Sequence, residues 1–256
     1  MALALAEGFR QKNVVTPDCL MASDVSAEAR ERFRAATGAS VTADNLEVLR
    51  RQEVIFLAVK PQYMDGVLRE LAGRVSADRL IVSIAAGVSL ARLEAALGKD
   101  CRVVRVMPNT PCLVGQGASG YALGSQANDE DGHLVGELLS AVGVAVRVEE
   151  RFMDAVTAVS GSGPAFAYVM IEAMADAGVR HGLPRETAQI LAAQTLKGAA
   201  EMVLATGSPP SVLKEQVTSP GGTTIAGLAA MESAGFRAAV FAAVQAAAER
   251  SAQLGG

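Results

Sequence analysis

The sequence predicts an α/β Rossmann-like domain followed by an all-helical domain, and three observations lead to this fold class. From residue 20 to about residue 148, short runs rich in β-branched residues alternate with amphipathic helical runs, which is typical of a mostly parallel sheet covered by helices. Beyond Glu149 the strand signals end and long alanine-rich runs take over. Prolines divide those runs into separate helices. We therefore expect a first domain over residues 1–149 and a second over residues 150–256.

The elements of the first domain follow in order from local signals. Ser26 predicts the start of a helix over residues 26–37, which Gly38 ends. Ser89 predicts the start of a second helix, and Gly98 its end. The candidate strands are short apolar runs that are separated by such helices. They cover residues 19–22, 54–59, 80–84, 102–107, 119–122 and 145–148.

The second domain is predicted to contain helices that are apolar on more than one face. Residues 166–177, 187–204 and 236–254 carry Ala, Val, Met and Leu all round, which is the pattern of helices buried on every side. A domain of this size cannot bury so many faces alone, so the pattern predicts a homo-oligomer that is at least a dimer. Residues 207–210, Gly-Ser-Pro-Pro, are the expected exposed loop.

Composition limits the partners of the chain. The net charge is -4 and no basic block is present, which predicts no nucleic-acid partner. No apolar run approaches the roughly 20 residues that span a bilayer, so no membrane partner is expected. Cys19, Cys101 and Cys112 are an odd, scattered set without metal-ligand spacing. This set predicts no metal site, three unpaired thiols that are buried as small hydrophobes, and a cytoplasmic location.

The segment Ser219-Pro220-Gly221-Gly222-Thr223-Thr224 is the most informative part of the chain. Pro220 ends the preceding helix, the glycines permit positive φ and close approach of a ligand, and either threonine can cap the apolar helix that follows. Unpaired N–H groups at a helix N-terminus attract a small carboxylate without a cationic side chain. Taken alone, such a turn is more often a plain connection between two helices.

A second cluster favours the functional interpretation. Residues 159–165, Val-Ser-Gly-Ser-Gly-Pro-Ala, interrupt an apolar helical stretch, where each Gly or Pro costs about 1 to 3 kcal/mol unless the backbone bends or is approached there. With Ala-Val-Lys-Pro at 58–61, Ser-Ile-Ala-Ala-Gly at 83–87 and Met-Pro-Asn-Thr-Pro at 107–111, these motifs resemble the signature regions of pyrroline-5-carboxylate reductase. The resemblance extends from Met1 to the C-terminus.

The resemblance implies a dinucleotide-binding first domain and a helical dimerisation and substrate domain. It implies hydride transfer from NADPH or NADH to the C=N carbon of 1-pyrroline-5-carboxylate, which gives L-proline. An imine protonated from water is already electrophilic, so positioning and exclusion of solvent can carry most of the rate. In the resembling family the helices interleave into a dimer, in which one subunit holds the cofactor and its neighbour can supply the substrate turn.

The resemblance implies two sets of site residues, and some members of the first set also follow predicted strands. The candidate cofactor-binding residues are Ser23, Asp24, Asn45, Ala58, Val59, Lys60, Pro61, Ile84, Ala85, Ala86 and Gln216. The candidate substrate-binding residues are Glu150, Ser219, Gly221, Gly222, Thr223 and Thr224. The Thr224 hydroxyl is the candidate catalytic group, since it is expected to reach the ring nitrogen or the carboxylate. His133 and His181 lie in polar surface stretches and are unpromising acids, which leaves the proton donor open.

The cofactor preference stays open at this point. Asp24 follows the strand at whose end a ribose is bound, where it would accept from a 2′-OH and repel a 2′-phosphate, as NAD requires. Ser23 would instead donate to the phosphate of NADP. Asp24 is equally explained as a helix cap, and Lys60 as a solvated charge at a strand end.

The start of the chain differs from the family pattern. A dinucleotide-binding unit opens with a strand and a Gly-rich turn, whereas residues 1–9 resemble the helix that follows them. Met1-Ala2 matches the last two residues of a Gly-x-Gly-x-Met-Ala loop. We expect a start codon set too late rather than a cut chain or a true loss, and we expect unpaired strand edges beside the absent strand.

Two other functions are compatible with parts of the pattern. A reductase of small hydroxy acids shares the two-domain plan and needs a lysine on a domain helix, for which Lys197 is the candidate. The turn at 219–224 argues against it. A non-catalytic helical dimer with a degenerate nucleotide domain is supported only by the start of the chain.

Overall fold

The computed structural model describes residues 1–255, which form two compact units. The first unit contains Met1–Ser162 and the C-terminal residues from Ala246, and the second contains Gly163–Gln245. The predicted boundary at residue 149 therefore precedes the end of the first unit. The residues in between stay with the first unit because Met153, only 1% exposed, packs into the core beside the sheet.

The first unit alternates strands and helices, as the sequence predicts. Its strands are β1 Met21–Ser23, β2 Ser40–Thr42, β3 Val54–Leu57, β4 Leu80–Ser83, β5 Arg102–Met107, β6 Gly117–Leu123 and β7 Gly143–Arg147. Its helices are α1 Ala2–Gln11, α2 Ala27–Thr37, α3 Asn45–Arg51, α4 Pro61–Leu71, α5 Leu90–Leu97, α6 Asp129–Ser140 and α7 Met153–Val156. Strand β2 was not predicted, because a three-residue run of Ser-Val-Thr has no hydrophobic period.

Strand pairing gives two sheets. β1 and β2 pair in parallel, and the larger sheet has the order β3-β4-β5-β6-β7 with β5 and β6 antiparallel. All its other pairs are parallel, so the mostly parallel sheet is confirmed. Within the described residues, β1 pairs with β2 alone and β3 with β4 alone, which leaves one edge of each without a strand neighbour.

Helices cover both faces of the larger sheet, which explains the apolar runs in β3 and β4. In β4, Ile81 belongs to a core with Met64 of α4 and Leu93 of α5. Its neighbour Val82 belongs to a second core, which includes Leu5 and Phe9 of α1 and Val135 and Leu139 of α6. Because successive residues point to opposite faces, one strand supplies both cores.

The predicted helix ends of the first unit are confirmed. The Ser26 hydroxyl accepts a hydrogen bond from Ala29 N at 3.2 Å, and Ser89 accepts from Arg92 N at 3.3 Å. Gly38 follows α2 with φ +70°, the left-handed conformation that favours glycine.

The second unit is helical and leaves large apolar side chains exposed. It contains α8 Gly163–Arg180, α9 Arg185–Thr206, α10 Pro210–Gln216, α11 Thr223–Ser233 and the first part of α12 Phe236–Gly255. Small residues bring α8 and α9 together: a Cβ on Gly178 would lie 3.2 Å from that of Ala188. Other faces lie open within the single chain, and Phe241 is 78% exposed.

The structure bears on three expectations drawn from composition, which concern the cysteines, membrane-spanning helices and metal sites. Cys101 and Cys112 are buried, and burial raises the pKa of Cys101, but Cys19 is exposed, so its predicted burial was wrong. Among the described residues, no single helix has both the length and the apolar composition to cross a bilayer; α11 and α12 meet those criteria only as a pair bent by 53°. Residues 1–255 contain no group of His, Cys, Asp or Glu side chains placed to hold a metal.

Candidate functional site

The carboxyl ends of β3 and β4 lie side by side, because these neighbouring strands are parallel. This row of strand ends is called the sheet edge below. Open α/β sheets bind their ligands at this edge. The segments predicted to contact a cofactor, residues 58–61 and 84–86, follow these two strands directly. The fold thus brings both segments to the edge where a nucleotide binds.

After β3 the chain turns at once into α4. Lys60 is the N-cap residue with an extended backbone, and Pro61 is the first helical residue, a position that proline favours. The Lys60 side chain makes no cap hydrogen bond and is exposed. Its ammonium group is therefore available to an anionic ligand at the sheet edge.

After β4 the chain forms a tight turn. Ile84 N donates to Leu57 O at 3.1 Å, which ties the turn to the end of β3. Ile84 and Ala85 are buried, and Ala86 is exposed. Gly87 has φ +73°, and a Cβ there would lie 3.2 Å from Leu254 O at the end of α12. The turn therefore offers a ligand mainly the exposed backbone around Ala86.

Asp24 stands at the end of β1, where a ribose is expected. Its Oδ1 accepts from Ser26 N at 2.8 Å, while the N-cap of α2 is Ser26 itself. Arg30 donates to the carbonyl oxygens of Asp24 at 2.6 Å and Val25 at 3.2 Å. Sequence reasoning missed Arg30, although an arginine near this strand end is a known signal for a 2′-phosphate.

Ser23 and Asn45 form one hydrogen-bonded chain with Glu70. The Ser23 hydroxyl donates to Asn45 Oδ1 at 2.7 Å, and Asn45 Nδ2 donates to Glu70 Oε2 at 2.7 Å. Asn45 opens α3 and Glu70 lies in the last turn of α4, so the three residues come from three elements. The structure thus joins two predicted cofactor residues to a carboxylate that no sequence signal indicated.

Glu150 is already engaged within the first unit. Its Oε1 accepts from Leu90 N at 2.6 Å and from the Arg105 guanidinium at 3.1 Å. The Arg105 side chain is only 10% exposed, and Leu90 is the first residue of α5. Glu150 therefore neutralises a buried cation and pairs a free amide at a helix N-terminus, contacts that the sequence did not predict.

The Gly-rich cluster at 159–165 overlaps a π-helix over Thr157–Gly161. Short π-segments inside helices occur often at functional sites. Asn109 links this segment to the sheet, because its Nδ2 donates to Ser160 O at 3.0 Å and its Oδ1 accepts from Ala118 N at 2.9 Å. A Cβ on Gly161 would lie 2.5 Å from Met107 Cε, so a side chain there would displace the Met107 methyl group.

The turn at 219–224 lies in the second unit and ends in a helix without a side-chain cap. Gly222 N donates to Ser219 O at 3.1 Å, Gly221 has φ +67°, and Gly222 is the N-cap of α11. Thr223 and Thr224 are the first two helical residues, so the predicted threonine cap was wrong. The first-turn N–H groups of α11 therefore lack a side-chain acceptor, as an anion site requires.

The candidate Gln216 and the two histidines, which the sequence predicted to lie at the surface, are peripheral in the single chain. Gln216 ends α10 and is exposed. His133 is exposed and lies 3.3 Å from Glu137, and His181 is exposed beyond α8, so their predicted surface placement is confirmed. None of the three makes contacts that fix it for catalysis.

The chain is similar to known proteins over its whole length. Residues 150–254 match the family described as pyrroline-5-carboxylate reductase dimerisation, and residues 1–87 match the one described as NADP oxidoreductase coenzyme F420-dependent. Pyrroline-5-carboxylate reductase of Methanosarcina acetivorans is 48% identical over 100% of this chain and 94% of its own. The Arabidopsis thaliana protein of the same name is 45% identical over 99% of this chain and 92% of its own.

Solved structures agree with this similarity. Plasmodium falciparum pyrroline carboxylate reductase with NADP bound has a TM-score of 0.88 at 36% identity, over 99% of this chain and 94% of that one. The Coxiella burnetii pyrroline-5-carboxylate reductase has a TM-score of 0.93 at 34% identity, over 100% and 95%. Prephenate dehydrogenase from Aquifex aeolicus, 14% identical with a TM-score of 0.52, shares the fold alone.

Proposed function

The chain belongs to the pyrroline-5-carboxylate reductase family, and from that premise we propose which of its residues carry the reaction. It is an NAD(P)H-dependent oxidoreductase that reduces the C=N bond of 1-pyrroline-5-carboxylate in proline biosynthesis. The hydroxy-acid reductase and the non-catalytic dimer have no comparable support, since relatives of this one family cover the whole chain.

Residues at and near the carboxyl ends of β1, β3 and β4 fit a nicotinamide dinucleotide. Ser23 and Asn45 supply the hydroxyl and amide chemistry that binds a ribose, and Lys60 and Arg30 supply positive charge for phosphates. Ala58, Val59 and Pro61 follow β3, and Ile84, Ala85 and Ala86 follow β4, so both segments present backbone to the same edge. When bound, the reduced nucleotide supplies the hydride.

The observation that carries the substrate assignment is the uncapped start of α11. A carboxylate accepts well from the first N–H groups of a helix, where the backbone dipole adds positive potential. The turn residues Ser219, Gly221 and Gly222 shape the approach, and Thr223 and Thr224 supply the first amides. This arrangement recognises the carboxylate of 1-pyrroline-5-carboxylate without a cationic side chain.

We assign the Thr224 side chain to the position beside the reacting ring of the substrate. Its hydroxyl has donor and acceptor capacity, which suits a ring nitrogen that gains a proton during reduction. Glu150 acts from the first unit by holding Arg105 and the start of α5 in place. Gln216 is exposed at the end of α10 and has the role of an additional amide contact to the cofactor.

The first test is turnover with purified protein. We expect oxidation of NADH or NADPH that depends on 1-pyrroline-5-carboxylate, with L-proline as product. Thr224→Ala should lower kcat/KM by about 10-fold or more, because a hydrogen bond to a charged group is lost, while the Kd of the nucleotide stays unchanged. A folded enzyme that turns over neither nucleotide contradicts the function, and an unchanged kcat/KM in T224A removes Thr224 from the site.

The enzyme is a homo-oligomer, in keeping with its match to a dimerisation family. The exposed apolar side chains of α8, α9 and α12 are the surface available for this assembly. We expect sedimentation at micromolar concentration to give a dimer or larger, and Phe241→Asp to shift it toward monomer, since a buried charge on an apolar face opposes association. The matched control is Val25→Asp, 94% exposed in the first unit, which should leave the mass unchanged. A monomeric parent protein would contradict this assignment.

We place the enzyme in the cytoplasm. The support is the set of three free cysteines, one of them exposed, which suits a reducing compartment.

A further inference from the structure

We propose that Glu70 sets the nucleotide preference of this enzyme toward NADH, by fixing the direction of the hydrogen bonds through Asn45 to Ser23. The inference rests on the proposed function, in which Ser23 and Asn45 face the adenosine ribose. Glu70 does not touch the nucleotide in this proposal. It is a positioning residue that acts through the two side chains before it.

The direction of the hydrogen bonds that join Ser23, Asn45 and Glu70 follows from the chemistry of Glu70, where the series ends. An ionised carboxylate only accepts hydrogen bonds, so the atom of Asn45 at 2.7 Å from Glu70 Oε2 must be the NH₂ group. The carbonyl Oδ1 of Asn45 then faces Ser23. Because Oδ1 only accepts, the hydroxyl of Ser23 at 2.7 Å must donate to it. One carboxylate thus fixes the orientation of both residues.

Ser23 can then offer a ligand only hydrogen-bond acceptors. Ser23 has a single proton, which the bond to Asn45 uses, and two lone pairs that remain. A ribose 2′-OH can donate to those lone pairs. A 2′-phosphate has only acceptors to offer at neutral pH, so it would need Ser23 to abandon Asn45 and leave Oδ1 unpaired. The negative charge of Glu70 also disfavours binding of a 2′-phosphate.

The neighbouring charges bear on this preference in both directions. Arg30 bonds the carbonyls of Asp24 and Val25 and brings a positive charge that favours a 2′-phosphate. Asp24 brings a negative charge that opposes it, although its Oδ1 is held by Ser26 N. Glu70 adds a second carboxylate and, unlike these two groups, decides which hydrogen-bonding partner Ser23 presents.

The test replaces Glu70 with its isosteric amide and measures binding. In Glu70→Gln the side chain can donate to Asn45 Oδ1, so the Asn45 amide can turn and donate to Ser23, which frees the Ser23 proton for a phosphate. We expect the ratio of Kd for NADPH to Kd for NADH, measured by calorimetry without substrate, to fall by about 10-fold or more, the effect of one gained hydrogen bond to a charged group.

Two further variants test whether E70Q acts through the hydrogen bonds from Glu70 through Asn45 to Ser23, here called the relay, or only through its lost charge. Glu47→Gln removes the same charge from α3 outside the relay, where Glu47 lies 3.2 Å from Arg51, and should change the ratio by less than about twofold. In a Ser23→Ala background the relay has no proton to redirect, so the effect of E70Q should shrink by at least about threefold. An equal effect of E70Q with and without Ser23, or an unchanged ratio in E70Q, overturns the proposal. Failure of the parent protein to bind either nucleotide would instead contradict the proposed function, and the inference with it.

Discussion

Replacing Gly222 with valine should lower kcat/KM for 1-pyrroline-5-carboxylate by about 100-fold, which corresponds to roughly 3 kcal/mol. A Cβ at this position would lie 2.3 Å from Ser219 Oγ and 3.2 Å from Ser219 O, so the Ser219 hydroxyl must rotate away and the turn must shift. The added side chain also covers the first amides of α11, which the proposed carboxylate site needs. Gly222 has φ -77°, so crowding rather than backbone strain causes the effect.

The matched control is the same substitution at Gly66 in α4, where no atom lies within 4 Å of an added Cβ. Gly66→Val should leave kcat/KM within about twofold, because it changes only local helix propensity. Steady-state kinetics on both variants, with unfolding followed by circular dichroism, separate catalysis from stability. Equal activity of G222V and the parent enzyme would remove the turn from the substrate site.

Replacing Glu150 with alanine should lower the free energy of unfolding by about 2 to 3 kcal/mol. The substitution leaves the nearly buried Arg105 without its carboxylate and Leu90 N without an acceptor. For a chain of this length, such a loss lowers Tm by roughly 4 to 12 °C. Thermal unfolding measures this directly.

The neighbouring carboxylate provides the control. Glu149 pairs with Arg151 at the surface, where both side chains are more than two-thirds exposed. Glu149→Ala should therefore change the free energy of unfolding by less than about 0.5 kcal/mol. If E150A unfolds like E149A but loses kcat/KM, then Glu150 serves the substrate directly and its structural role is wrong.

Local signals were enough to predict most of the architecture. Ser26 and Ser89 begin helices in the structure as they do in the sequence, because a cap needs only the three residues that follow it. The buried strands β4 and β5 were found because burial on both faces favours apolar runs. Strand β2 was missed, since its pairing with β1 is a contact between segments and leaves no local pattern.

The site residues likewise divide into those that sequence signals predicted and those that they did not. Motif order predicted the sheet edge and the turn at 219–224, and comparison with relatives confirmed the family. The threonine cap was predicted wrongly because one residue of register decides whether a side chain caps a helix or lies inside it. Arg30 was missed, and the partners of Asn109 were not predicted although it lies in the motif at 107–111, because no local pattern indicates which backbone groups these side chains bind.

The sequence by itself determined the fold class, which depends on periodicity and turn chemistry, and the reaction, which its motifs implied through their resemblance to a known family. Only the tertiary structure decided what individual polar groups do. Glu150 meets Arg105 across 45 residues and Glu70 meets Asn45 across 25, so no local spacing encodes either pair. Hydrogen bonds need partners within about 3 Å and in the right direction, and only the packed fold brings distant side chains so close.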